Sequence, residues 1–205
     1  MTTTTDAEIQ QLVGPQLVAL ADALAVQPTG VADRPSLCAG WAVRHVLAHM
    51  TMAARYDAAA FSAELEAAGY DFEALSETIA RRDGEVPFEA LLADLRSAVL
   101  AAWAPPGGGA LGALSHAVIH GLDITEAVGL VRTCSDAAAG LVLEALSAHG
   151  VASRFGVDPA GYLLRATDLA WEHGDGPPIV TSAGELILAL AGRPRPGVPL
   201  RPTAG

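Results

Sequence analysis

The 205-residue sequence predicts a mainly α protein: four long helices and then a small α/β extension. Three observations predict it. Apolar residues recur at spacings of three and four from Ile9 to Val128, the period of an amphipathic helix. Hydrophobic residues make up 51% of the chain but aromatics only 5%, so the core is packed by Ala, Leu and Val, which suits closely spaced helices. Past about residue 135 the texture changes to short β-like runs separated by glycine-rich turns.

Residues 1–5 read as a frayed tail. The first helix runs from Asp6 to about Val26, with Ile9, Leu12, Val13, Leu17, Leu20 and Leu24 on its apolar face. Pro15 is expected to kink it, or to delay its start until after Gly14. "QPTGVADRPSLCAG" is a loop, and Trp41 to about Leu65 a second helix. Residues 67–86 form a long connection that holds a short helix at most. Pro87 opens a third helix through about Trp103, and "APPGGG" stops it. The fourth runs from about Ala110 to Val128, with Gly129 as its C-terminal cap. Ser135 to about His149 is a further helix. "GYLLRATD" and "PPIVTS" read as short strands around the turn "EHGDG". Ser182 and Glu185 form a capping box that opens "AGELILALA", and Gly192 ends it. The expected divisions are residues 6–134 for the bundle, 135–193 for the α/β subdomain, and 194–205 for a loose proline-rich tail.

Composition excludes several roles. The net charge is −11 and no basic cluster occurs, so a nucleic-acid partner is not expected. No run of ~18 or more apolar residues suggests a membrane span. The N-terminus has no positively charged segment leading into an apolar one, so no signal peptide is expected. Cys38 and Cys134 are far apart and form no C-x-x-C pair, which fits a cytoplasmic protein better than a disulfide framework. "PPGGGA" lacks the Lys and Ser/Thr of a phosphate-binding loop, and Ser115 sits in no G-x-S-x-G elbow.

The chemistry concentrates in the fourth helix. On a wheel of about 100° per residue, His116, His120, Asp123 and Ala127 share a band roughly 60° wide, while Leu111, Leu114, Val118 and Leu122 lie opposite. A helix apolar nearly all round is buried among others, so its polar band faces either solvent or an internal site. Solvent faces carry Glu, Lys, Gln and Arg more often than two His and one Asp. The H-x3-H spacing lets two imidazoles on successive turns share a metal, with a third ligand from another helix. The candidates for that ligand are His45, His49, His149 and His173. His49 lies nearer the apolar centre of helix 2 than His45. His149 ends a helix, where a cation is favoured by the helix dipole, and His173 lies in a turn.

"GWAVRHVLAHM", followed much later by "HAVIHGLDITEAVG", resembles the DinB-like superfamily, and within it the mycothiol-dependent maleylpyruvate isomerase family. "RATDLAW" and "AGELILALAGR" match the C-terminal motifs of that family in order. The resemblance covers most of residues 10–193. It implies an up-down-down-up DinB-like four-helix bundle with a divalent metal, usually zinc, held by His49, His116 and His120. Asp123 matches the family's Asp, expected to support a ligand. Arg193 matches the terminal Gly-Arg, whose Arg handles a substrate carboxylate in the isomerases; the plain alternative is a cation at a helix end. The sequence departs from the pattern at two positions. His116 stands where the isomerases carry Glu, and His45 replaces their usual Asp. Three neutral imidazoles leave the metal its full +2 charge, which lowers the pKa of a bound thiol or water further than a His2Glu set does.

The function so implied is a transferase or isomerase in which mycothiol, the low-molecular-weight thiol of actinobacteria, acts as co-substrate. Its metal-bound thiolate is the nucleophile on an electrophilic small molecule. The rival readings are a three-His site used for hydrolytic or non-haem iron chemistry, and a metal-free bundle that binds a small molecule without catalysis. A monomer or homodimer is expected.

Overall fold

The computed structural model describes residues 4–148 and 150–202, so the expectation placed on His149 lies outside the described residues. The chain divides into two compact units, residues 1–133 and 134–205. The fold is mainly helical with a small C-terminal β portion.

In the first unit α1 (Asp6–Ala25) is opened by a capping box. The Thr5 hydroxyl accepts the Glu8 N–H at 3.3 Å, and the Glu8 carboxylate accepts the Thr5 N–H at 2.7 Å. Thr5 therefore ends the tail rather than belonging to it. Pro15 sits inside α1 without ending it. Pro15 and Gln11, whose carbonyl loses its helical partner, are both exposed, so water can replace that bond. Beside them a methyl on Gly14 would meet the Ala101 Cβ at 3.1 Å, so α1 lies close against the chain there. Packing holds the helix where local propensity would have broken it.

The expected second helix is instead three: α2 (Val43–Met50), α3 (Met52–Arg55) and α4 (Ala58–Ala67). The Thr51 hydroxyl bonds back to the Leu47 carbonyl at 2.7 Å, and Tyr56 adopts an extended conformation. Asp57 then restarts the chain by accepting the Ala60 N–H at 2.8 Å. Periodicity spanned these breaks because each segment keeps an apolar face. The long connection holds a three-turn helix, α5 (Phe72–Asp83), capped by Asp71. The third expected helix is two, α6 (Phe88–Leu95) and α7 (Ala98–Ala102), because Ser97 caps a new start by accepting the Leu100 N–H at 3.1 Å.

The fourth helix is as expected. In α8 (Gly109–Val128), Gly129 follows in the left-handed conformation (φ 73°), which an L side chain rarely adopts. Arg34 donates to the Ala127 and Val128 carbonyls, both at 3.2 Å, and so covers two acceptors that the helix end leaves over. α8 packs along α1, α2 packs against α5, α6 and α8, and α6 and α7 cover α1. Leu20, Leu24, Leu47, Leu91, Leu95, Leu114 and Leu122 fill the space between them and are fully buried. Each such leucine contributes about 1.5–3 kcal/mol over an exposed one.

In the second unit α9 (Asp136–Ser147) packs against α10 (Ala183–Leu190), and α10 also contacts two small sheets, one of two strands and one of three. The strands are β1 (Val157–Asp158), β2 (Leu163–Ala166), β3 (Glu172–His173), β4 (Pro178–Thr181) and β5 (Arg201–Pro202). The two expected strands are not a hairpin. β2 and β4 run parallel, with Leu164 opposite Ile179, and β3, inside the expected turn, adds antiparallel to the other edge of β2. The proline-rich tail is tied down as far as it is described. Arg195 forms a two-pronged ion pair with Glu185 at 2.6 and 2.7 Å, and β5 pairs antiparallel with β1. Among the described residues no helix is long and apolar enough to cross a membrane.

Candidate metal centre

Two helices of the first unit deliver three imidazoles to one point. The Nε2 atoms of His49, in the last turn of α2, and His116, on α8, are 3.0 Å apart. The ring centroids of His120 lie 4.9 Å from His49 and 4.7 Å from His116. One nitrogen from each of the three falls within 4.8 Å of the others, so a single ion could engage all three. Trp41 packs on His49 at 5.4 Å between ring centres and Trp103 meets His116 edge-on at 5.8 Å, which gives the cluster apolar walls.

Burial decides the charge of these rings. Desolvation, with a smaller contribution from His120, pushes the His49 pKa down to about 3. Desolvation, with His120 and then His49, holds His116 well below the ordinary histidine range. Both are therefore neutral at pH 7 and carry a lone pair, the form a metal ligand requires. The Nδ1 of His49 is buried with no hydrogen-bond partner among the described residues.

Asp123 braces the third ligand. It is completely buried, and its Oδ2 lies 3.0 Å from His120 Nδ1. A buried carboxylate accepts, so Nδ1 carries the proton and the Nε2 lone pair of His120 is left for the cluster. The same Oδ2 accepts from the Cys38 thiol at 3.1 Å. The Leu37 N–H donates to the Asp123 carbonyl at 3.0 Å and fixes the loop that carries Cys38. Cys38, His120 and Asp123 form a second set of donor atoms beside the first.

A cavity of about 520 Å³ in the first unit reaches the cluster, with His49 and His116 in its wall beside Trp103, Tyr56, Phe61 and Phe72. That volume lies inside the usual range of about 300–1,000 Å³ for small-molecule sites. A polar network supports one side. Asp83 accepts from Arg55 Nε at 3.2 Å, from Arg82 Nε at 3.1 Å and from the Tyr56 hydroxyl at 2.7 Å. Burial pushes the Asp83 carboxyl up, but these bonds outweigh it and hold it below its ordinary range.

The family described as the mycothiol maleylpyruvate isomerase N-terminal domain matches residues 13–125, more than half of the chain. The chain belongs to that family. The family lies in the DinB-like superfamily. Neither the comparison with curated proteins nor that with solved structures returned a match. The matched span contains Cys38, His49, His116, His120 and Asp123 and stops before Arg193.

The remaining sequence candidates have other places. His45 lies one turn before His49, but its Nδ1 accepts the Ala42 N–H at 3.0 Å, which caps the start of α2. It fills the role that a carboxylate plays in a capping box. His173 is exposed on β3, in the second unit, where it stacks on Trp171 at 6.2 Å. Arg193 also belongs to the second unit. It follows α10, and its Nη1 donates to the Ala191 carbonyl at 2.6 Å. The sequence reading missed Cys38 and the two tryptophans. "SLCAGW" is a loop with no periodicity, so its spacing to α8 cannot be read along the chain; only the GW pair at the helix start pointed there.

Proposed function

We propose that the chain is a divalent-metal enzyme that uses a low-molecular-weight thiol of the mycothiol type, as transferase or isomerase, on an electrophilic small molecule. One observation carries this reading: three imidazoles from two helices converge, two of them held neutral by burial and the third braced by a buried carboxylate, in a family named for a mycothiol-dependent isomerase. Three neutral nitrogen donors suit zinc. The metal, when bound, would supply an open position at which a thiol is held as thiolate near neutral pH.

The chain's own residues supply the rest. His49, His116 and His120 would hold the ion. Asp123 is a positioning residue that sets the tautomer and ring angle of His120, and Cys38 orients the carboxylate. The tryptophans and the cavity wall exclude water from the nitrogens. Arg193 already donates to its own helix end, which supports a capping role over one at the substrate. The location proposed is the cytoplasm, whose reducing conditions suit Cys38 and Cys134, which form no disulfide among the described residues.

Metal analysis of tag-free protein, purified without chelator, tests the reading. Wild type is expected to carry about one equivalent, His120→Ala to lose it, and Asp123→Asn to bind about 10–100-fold more weakly. Wild type that stays empty after incubation with zinc overturns it. Turnover that proceeds without an added thiol would retain the metal site but overturn the thiol chemistry.

A further inference from the structure

We propose a second metal position, which takes a cuprous ion (Cu+) on Cys38, His120 and Asp123 and alternates with the three-imidazole position by sharing His120. The thiol chemistry proposed above plays no part in it.

The geometry comes from the loop that leads into α2. Cys38 Sγ lies 3.1 Å from Asp123 Oδ2 and 3.8 Å from His120 Nδ1, and those two atoms are 3.0 Å apart. A point near the centre of that triangle lies about 2.0–2.3 Å from all three, the length of ordinary bonds from a metal to nitrogen, oxygen and sulfur. One ion can therefore engage all three where they stand. The loop is pinned in place. The Leu37 N–H donates to the Asp123 carbonyl at 3.0 Å, the Cys38 N–H to the Ser36 hydroxyl at 3.1 Å, and the Trp41 N–H to the Cys38 carbonyl at 3.0 Å. Asp123 is fully buried and Cys38 only half-buried, so an ion reaches the set from the cysteine side.

The donors choose the ion. Thiolate sulfur is soft and selects cuprous ion or zinc, and imidazole serves either. Zinc has three imidazoles close by that release no thiol proton on binding. Cuprous ion gains more from the sulfur. When it binds, the Cys38 S–H bond breaks and a Cu–S bond forms; the proton leaves to water, and no electron moves. One proton is exchanged for one univalent ion, so the three groups together keep their charge and no new charge is buried. The His120 proton passes from Nδ1 to Nε2, and the ring stays neutral. That tautomer puts a proton on the nitrogen that would otherwise join His49 and His116, so the ring serves one position at a time. Serving both would need a ring stripped of both N–H protons between two cations.

The test uses the full-length protein, with Cu+ affinity read anaerobically by competition with bicinchoninate and zinc by elemental analysis. Wild type is expected to bind one Cu+, and Cu+ added to zinc-loaded protein to release the zinc. Cys38→Ser should weaken Cu+ by about 100-fold or more but zinc by less than about tenfold, because the serine hydroxyl still donates to Asp123. His49→Ala should do the reverse, losing zinc and keeping Cu+. Each variant that keeps one ion is thereby shown to fold. Cys134→Ser, in the second unit, should change neither. X-ray absorption of the Cu+ form should show one sulfur neighbour in wild type and none in Cys38→Ser. Cu+ binding that Cys38→Ser leaves intact, or that His49→Ala abolishes, overturns the proposal. So does retention of zinc and Cu+ together. Wild type that takes Cu+ through Cys38 but no zinc would overturn the three-imidazole reading and leave the cuprous position standing, so the two failures are distinguishable.

Discussion

Helices α2 and α8 each carry a pair of histidines four residues apart, His45/His49 and His116/His120, yet the fold uses the two pairs differently. On α8 both rings face the cluster. On α2 only His49 does, while His45 caps the helix on which it sits. The difference is position along the helix. His45 stands at the third residue of α2, where the N–H of Ala42 has no helical acceptor and a side chain three residues on can reach back to it. His116 and His120 lie in the interior of α8, where every N–H is already engaged, so their nitrogens are left to face outward. An H-x3-H pair is therefore a metal motif only where the backbone makes no prior claim on either ring.

The largest effect should come from breaking that asymmetry. His116→Ala or His49→Ala is expected to abolish bound metal, whereas His45→Ala keeps about one equivalent, read by elemental analysis of the purified proteins. Loss of metal from His45→Ala would make the second pair equivalent to the first and sink the comparison.

A smaller effect concerns acid stability once metal is stripped. Unfolded histidines titrate near about 6.5, while desolvation first, then His120, holds His49 at about 3 in the fold, and His116 is lowered by the same kind of burial. The unfolded chain thus binds more protons below that pH. The stability of the metal-free protein is fully present above about pH 6.5 and falls as the pH drops from there towards about 3. Carboxylates held low by their partners, such as Glu77 through its bonds from Trp41 and Arg81, contribute only below their ordinary range near 4.5, so histidines own the upper part of the window. Urea midpoints of metal-free protein between pH 7 and 5 should fall steadily. His49→Gln should flatten that slope more than His45→Gln, whose ring is more exposed and also lowered, by burial first and then Arg81. Equal flattening would mean that burial does not separate the two rings.

The smallest effect is that of the cap. His45→Ala should cost about 0.5–2 kcal/mol in chemical denaturation without altering metal content. The same ring explains Gly84, where a Cβ would come within 2.6 Å of His45 Cδ2 and 2.7 Å of the Ala80 carbonyl.

Much of the fold was legible because it is written in local periodicity and punctuation. α8 and its glycine stop, the capping serines at Ser135 and Ser182, and the change of texture near residue 135 all act over a few residues. The misreadings came where local signals were weak or were overruled. Pro15 was overruled by packing at Gly14; the breaks at Tyr56 and Ser97 were hidden because the apolar face runs on past them.

The sequence by itself determined the α8 stripe of His116, His120 and Asp123, because a helix fixes which residues share a face once its period is known. Tertiary structure alone decided that His49 meets that stripe while His45 does not, that Cys38 reaches Asp123 across a separation of 85 positions, and that an aromatic cavity stands beside them. The physical reason is that convergence depends on how whole helices pack, and packing is settled by the sum of many buried contacts rather than by any spacing along the chain.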